Sequence, residues 1–136
     1  MVTCPAYEQP FALVVDDEPL ILMDAVSILE DAGFQMLEAG RAAQALRLLG
    51  QHHDRVKLLF SDVNVPGDMD GFALAREVAR RWPSITIVVA SGQTKPGTGD
   101  LPDGATFISK PFSAQVVYHH VRKTMPEHTQ PEPLKI

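Results

Sequence analysis

Five short runs of Val, Ile, Leu, Ala and Phe, most of them separated by stretches of helical period, constrain this chain more than any other feature. Residues 11–15 (Phe-Ala-Leu-Val-Val) and 56–61 (Val-Lys-Leu-Leu-Phe-Ser) are apolar almost throughout, as a strand is when helices cover both faces of a parallel sheet. Residues 34–39, 85–90 and 105–109 supply three more strands, the first of them an edge. Between them, Leu22, Ala25, Val26 and Leu29 recur at helical spacing after Pro19 and before Gly33. Ala42, Ala45, Leu46 and Leu49, closed by Gly50, form a second helical face, and Phe72, Ala75, Val78, Ala79 and Trp82, closed by Pro83, a third. The pattern predicts an α/β domain with a parallel sheet.

The alternation fails once. Residues 92–104 hold four glycines and two prolines in thirteen positions and no apolar period, so a regular helix is not expected there. After the fifth strand, Lys110-Pro111 turns into a last helix carrying Val117, Val121 and Met125 on one face. With 136 residues the chain has room for one such domain, read as residues 10–125 between a short extension (1–9) and a proline-containing tail (126–136) expected to be mobile. Only about eleven residues follow the domain, too few for an output module, so a stand-alone domain is expected.

Charge and cysteine content narrow the partners. Twelve basic against seventeen acidic side chains give a net charge of -5, and no Lys/Arg run is present, which argues against direct binding to nucleic acid or anionic membrane. One cysteine, Cys4, excludes an internal disulfide framework and a multi-cysteine zinc site, and no signal peptide or membrane segment is visible. A cytoplasmic location is expected.

In an open parallel sheet the ligand site lies beyond the carboxyl ends of the strands. Here the first strand runs into Asp16-Asp17, the third into Asp62, the fourth into Ser91 and the fifth into Lys110. Three clustered carboxylates need a positive partner, and a hard divalent cation such as Mg²⁺ fits them. A carboxylate, a cation, a lysine and a hydroxyl together suit phosphoryl transfer to a carboxylate oxygen.

Those four strand-end motifs, with Ser-Asp-Val-Asn-Val-Pro-Gly-Asp-Met-Asp-Gly around Asp62 and Lys110-Pro111-Phe112, resemble the receiver domain of bacterial two-component response regulators. The resemblance implies a flavodoxin-like, doubly wound sheet of strand order 2-1-3-4-5, with the fourth helix shortened or irregular here. It also implies a phosphoacceptor at Asp62, direct Mg²⁺ binding by Asp17 with help from Asp16, and a third metal contact from the Asn64 backbone carbonyl. Ser91 takes the place of the switch hydroxyl, Phe107 the aromatic switch position, and Lys110 the phosphate-contacting lysine. The implied phosphodonor is a histidine kinase or histidine phosphotransfer protein, and the implied output is contact with a downstream protein. Such a domain is not a conventional enzyme, although it catalyses its own phosphorylation from small donors and its dephosphorylation. The loop after Asp62 is one residue longer than the common pattern, through Gly67-Asp68.

Each residue also has an ordinary reading. Asp16-Asp17 alone suits a helix N-cap, Asp62 and Ser91 suit loop positions, Lys110 suits a solvated surface, and Phe107 reads equally as core. The adjacent pairs His52-His53 and His119-His120 diverge on a helix, Arg76, Arg80 and Arg81 read as helix surface near Trp82, and residues 99–106 lack the lysine of a phosphate-binding loop. Two rivals remain. One is a small Mg²⁺-dependent aspartyl phosphatase with Asp16 as nucleophile, where Glu18 stands in place of the second aspartate. The other is a receiver-like interaction module that functions without phosphate.

Overall fold

The computed structural model describes residues 9–135; Cys4 and the rest of the proposed extension up to residue 8 lie outside them. Five parallel strands, β1 (Phe11–Val15), β2 (Gln35–Ala39), β3 (Val56–Asp62), β4 (Thr86–Ser91) and β5 (Thr106–Ser109), form one sheet in the order β2-β1-β3-β4-β5. Four helices flank it: α1 (Pro19–Asp31), α2 (Ala42–His52), α3 (Gly71–Arg81) and α4 (Ala114–Thr124). This is the flavodoxin-like arrangement expected.

Alternation along the strands divides the core. Leu13, Val15, Leu59 and Val89 point to one face and pack with Ala45 and Leu49 of α2 and Leu74, Ala75 and Val78 of α3. Ala12, Val14, Leu58, Phe60, Val88 and Ala90 point to the other, against Ala25, Ile28 and Leu29 of α1 and Val117 and Val121 of α4. Burial of each large aliphatic side chain contributes about 1.5–3 kcal/mol, so both faces hold the sheet rigidly behind its carboxyl edge. Gly50 does not stop α2, which runs on to His52.

No helix forms between β4 and β5. Residues 92–105 make turns only, with Leu101 and Ala105 lying against the first core face beside Phe107. Glycine and proline make helix costly here, and Gly99 and Gly104 adopt positive φ.

The tail corrects the sequence reading. From Pro126 the chain makes two 3-10 turns, Glu127–Thr129 and Glu132–Lys135, and Leu134 is only 2% exposed within the second core face. Pro131 and Pro133 lie against Gly33, whose φ is +106° and where an added Cβ would sit 2.9 Å from both rings. One leucine in a groove lined by α1 and α4 suffices to seat a segment that composition alone reads as mobile.

Candidate functional site

Strand register brings the site together. Val15 pairs with Ser61, Asp62 with Ala90, and Ser91 with Ser109, so the residues at the ends of β1, β3, β4 and β5 stand level at one edge. Backbone bonds extend that alignment past the strands: Asp16 N donates to Ala39 O (3.0 Å), Val63 N to Ala90 O (3.1 Å) and Lys110 N to Ser91 O (2.9 Å). The side chains of Asp16, Asp62 and Lys110 therefore converge by geometry fixed in the sheet.

Lys110 Nζ donates to Asp62 Oδ1 at 2.7 Å and to Asp16 Oδ2 at 3.0 Å. Asp16 and Asp62 are 4% and 7% exposed, whereas Asp17 is open to solvent. Burial alone would lower the affinity of the Lys110 amine for its proton, but the hydrogen bonds and charges of Asp62 and Asp16 outweigh it and raise its pKa above the ordinary lysine value. The other oxygen of Asp16, Oδ1, accepts from Glu18 N at 2.9 Å, at the start of α1. Asp16 thus closes a turn ahead of α1 and also faces the cleft, but neither aspartate is the helix N-cap of the ordinary reading: that position is Glu18, with no side-chain cap bond.

Asp16, Asp17 and Asp62 each offer a carboxylate oxygen, and these oxygens lie within 4.8 Å of one another. Ligands of an octahedral Mg²⁺ stand about 3 Å apart when adjacent and about 4 Å when opposite, so this acidic cluster can close on a hard divalent cation with small side-chain shifts. Three carboxylates against one ammonium leave two negative charges, matching such an ion. Glu18, which the phosphatase reading needs, is not in the cluster. Asn64 lies exposed two residues beyond Asp62, at the same strand end.

Ser91 is buried at the end of β4. Its Oγ accepts from Thr94 N at 3.0 Å and from Gln93 N at 3.3 Å, so its own hydroxyl proton remains to donate. Phe107 pairs with Val89 and is half-buried against the first core face.

Two contributors escaped the sequence reading. Gly71 begins α3 directly against the Asp62 backbone: an added Cβ would stand 2.0 Å from the Asp62 carbonyl oxygen, and Gly71 N donates to Val63 O at 2.7 Å. Ser61, fully buried, donates its Oγ to that same Asp62 carbonyl at 2.9 Å. A glycine ending a Pro/Gly loop is an ordinary sight, and nothing local marks its approach to a strand nine residues earlier. The arginines have structural partners instead: Arg80 and Arg81 both pair with Glu77, and Arg76 donates to Asp100 O in the β4–β5 connection. His53 stacks on Trp82.

Comparison with known proteins adds to this geometry. The family profile described as "Response regulator receiver domain" matches residues 12–122. The chain is 31% identical over 116 residues to the sensor kinase CckA of Brucella abortus, covering 83% of this chain and 12% of that protein. It is 33% identical over 121 residues to the two-component response regulator ARR11 of Arabidopsis thaliana, covering 85% of this chain and 23% of the relative. The chain therefore spans a quarter or less of the length of these curated relatives. Among solved structures, a response regulator receiver protein from Sinorhizobium medicae superposes with a TM-score of 0.80 at 26% identity, covering 89% of this chain and 98% of that one. The receiver domain of NtrX from Brucella abortus gives 0.74 at 30% identity, covering 84% and 97%.

Proposed function

The chain belongs to the response regulator receiver domain family, and on that premise we propose that it accepts a phosphoryl group on Asp62 from a phosphohistidine donor and signals by protein contact. The observation that carries this reading is the bridge of Lys110 to both Asp62 and Asp16 at the level ends of three strands. An Asp62 carboxylate oxygen attacks phosphorus, the P–O bond forms as the P–N bond breaks, and the departing imidazole nitrogen keeps the electron pair. Lys110 Nζ follows charge from the carboxylate to a phosphoryl oxygen. The Ser91 hydroxyl, its oxygen already accepting from two backbone amides, donates its proton to another.

Asp17, Asp16, Asp62 and the Asn64 carbonyl are the groups that would hold Mg²⁺. When bound, the cation supplies neutralisation of the charge on the transferring group. Phosphorylation then biases Ser91, Phe107 and the helix-free segment 92–104. The donor is a histidine kinase or phosphotransfer protein, and Leu20 (76% exposed) and Met23 (66%) offer it an apolar rim on the first two turns of α1, the helix that begins just after Asp17. Among the described residues no helix is long and apolar enough to cross a membrane.

The test incubates the protein with Mg²⁺ and acetyl phosphate, and separately with a phosphorylated histidine donor, and follows intact mass. Gain of one phosphoryl group, not seen when a chelator is present from the start, supports the reading. No gain with either donor removes it. Multiple turnover of a generic phosphate ester would instead favour a phosphatase, and Mg²⁺-dependent binding of beryllofluoride separates a working acceptor from a module that functions without phosphate.

A further inference from the structure

The segment after α4 is bound closely to the domain. Leu134 is buried with Ile28, Leu29 and Ala32 at the end of α1 and with Val121 and Met125 at the end of α4. Gln130 Nε2 donates to Arg122 O (3.0 Å) and Met125 O (2.8 Å), covering carbonyls that α4 leaves without helical partners, and Arg122 Nη1 donates to Leu134 O (3.2 Å). On the other side of the groove, Gly33 receives Pro131 and Pro133 so closely that any side chain would collide with them. Tyr118 Oη donates to Ile28 O at 2.9 Å and ties the same two helices together beside the tail.

We infer that residues 126–134 form a clasp in cis that closes the groove between the C-terminal halves of α1 and α4, so that this face is occupied by the chain itself and closed to partner proteins. Three features drawn from different residues agree: a buried anchor at Leu134, side-chain capping through Gln130 and Arg122, and a glycine where the proline rings lie against the turn that ends α1. The clasp sits at the pole opposite the acidic cluster, because α1 and α4 both begin near that cluster and run away from it. The open end of α1, where Leu20 and Met23 are exposed, lies outside the clasp and stays available for docking. The inference stands apart from the phosphoacceptor reading and survives its failure.

Hydrogen exchange on the full chain tests it. The amides of Thr129, Gln130 and Leu134 donate within the clasp, to Pro126 O, Glu127 O and Pro131 O, and are expected to exchange far more slowly than in an unstructured peptide. Leu134→Asp places a carboxylate where only apolar groups receive it, so protection of these amides is lost and binding of the dye ANS rises, while phosphoryl uptake from acetyl phosphate is unchanged. The milder Gln130→Ala keeps the anchor and removes two bonds, and it speeds the same exchange severalfold even if the first variant fails to fold. Free exchange of these amides in the parent chain would overturn the clasp. So would a folded Leu134→Asp variant with protection intact and no ANS binding.

Discussion

Substituting Gly71 by alanine asks whether the loop after Asp62 is as tightly built as its geometry implies. The new Cβ would stand 2.0 Å from the Asp62 carbonyl oxygen and 2.8 Å from both its carbonyl carbon and Val63 Cα, all of them backbone atoms that cannot swing aside. To reach ordinary contact, α3 must part from β3 by more than an ångström, which also breaks the 2.7 Å bond from Gly71 N to Val63 O. Overpacking of this kind costs about 1–3 kcal/mol and a lost backbone hydrogen bond about 0.5–1.5 kcal/mol, so the variant should lose roughly 2–4 kcal/mol. Because the displaced atoms carry Asp62, the initial rate of phosphoryl uptake from acetyl phosphate should fall by about 10²-fold, the scale of a 1 Å misplacement. Gly50→Ala is the control: nothing lies within 4 Å of its added Cβ and it sits in α2, so it should stabilise by about 0.5 kcal/mol with uptake unchanged. Urea unfolding gives the stabilities and intact mass gives the rates. If Gly71→Ala matched the parent in both, the tight approach of α3 to the acceptor strand would be wrong.

Lys110→Met leaves Asp16 and Asp62 buried without their shared cation, and in the presence of a chelator it should destabilise the fold by about 3 kcal/mol in urea and abolish most phosphoryl uptake. Asp17→Asn removes one charge from an exposed position of the cluster, so it should weaken Mg²⁺ binding by about tenfold or more, measured by calorimetry, with little change in stability without metal. Tyr118→Phe should cost about 1 kcal/mol at pH 7 through loss of the bond to Ile28 O. Burial and then the Asp31 charge raise the Tyr118 pKa above the ordinary 10.0. The contribution of the phenol is therefore fully present below pH 10 and lost as pH rises through the raised value, so the parent's advantage over Tyr118→Phe should vanish in urea titrations at strongly alkaline pH.

The parts of this molecule legible in its sequence are those written locally. Phe11–Val15 and, apart from Lys57 and Ser61, Val56–Ser61 are apolar on both faces, as a central parallel strand is, and each runs into an acid, so the carboxyl edge of the sheet could be located residue by residue. The missing helix between β4 and β5 was equally visible, because glycine and proline act on their own backbone. What stayed hidden depends on distant partners. Gly71 matters through its approach to the Asp62 backbone, nine residues earlier in the chain. Leu134 is one apolar residue among prolines, and the groove that buries it is assembled from Ile28, Leu29, Val121 and Met125. Gly50 misled in the opposite direction, because an exposed glycine weakens a helix without ending it when Ala45 and Leu49 anchor the same turns.

Trapping the acyl phosphate tests the central claim most directly. After reaction with Mg²⁺ and a phosphodonor, borohydride converts an aspartyl phosphate to homoserine, and tandem mass spectrometry of the digested chain locates the change. Homoserine at Asp62, absent from the Asp62→Asn variant, is the predicted result. Homoserine at Asp16 or Asp17, or a phosphorylated chain in which Asp62 stays unmodified, would contradict it.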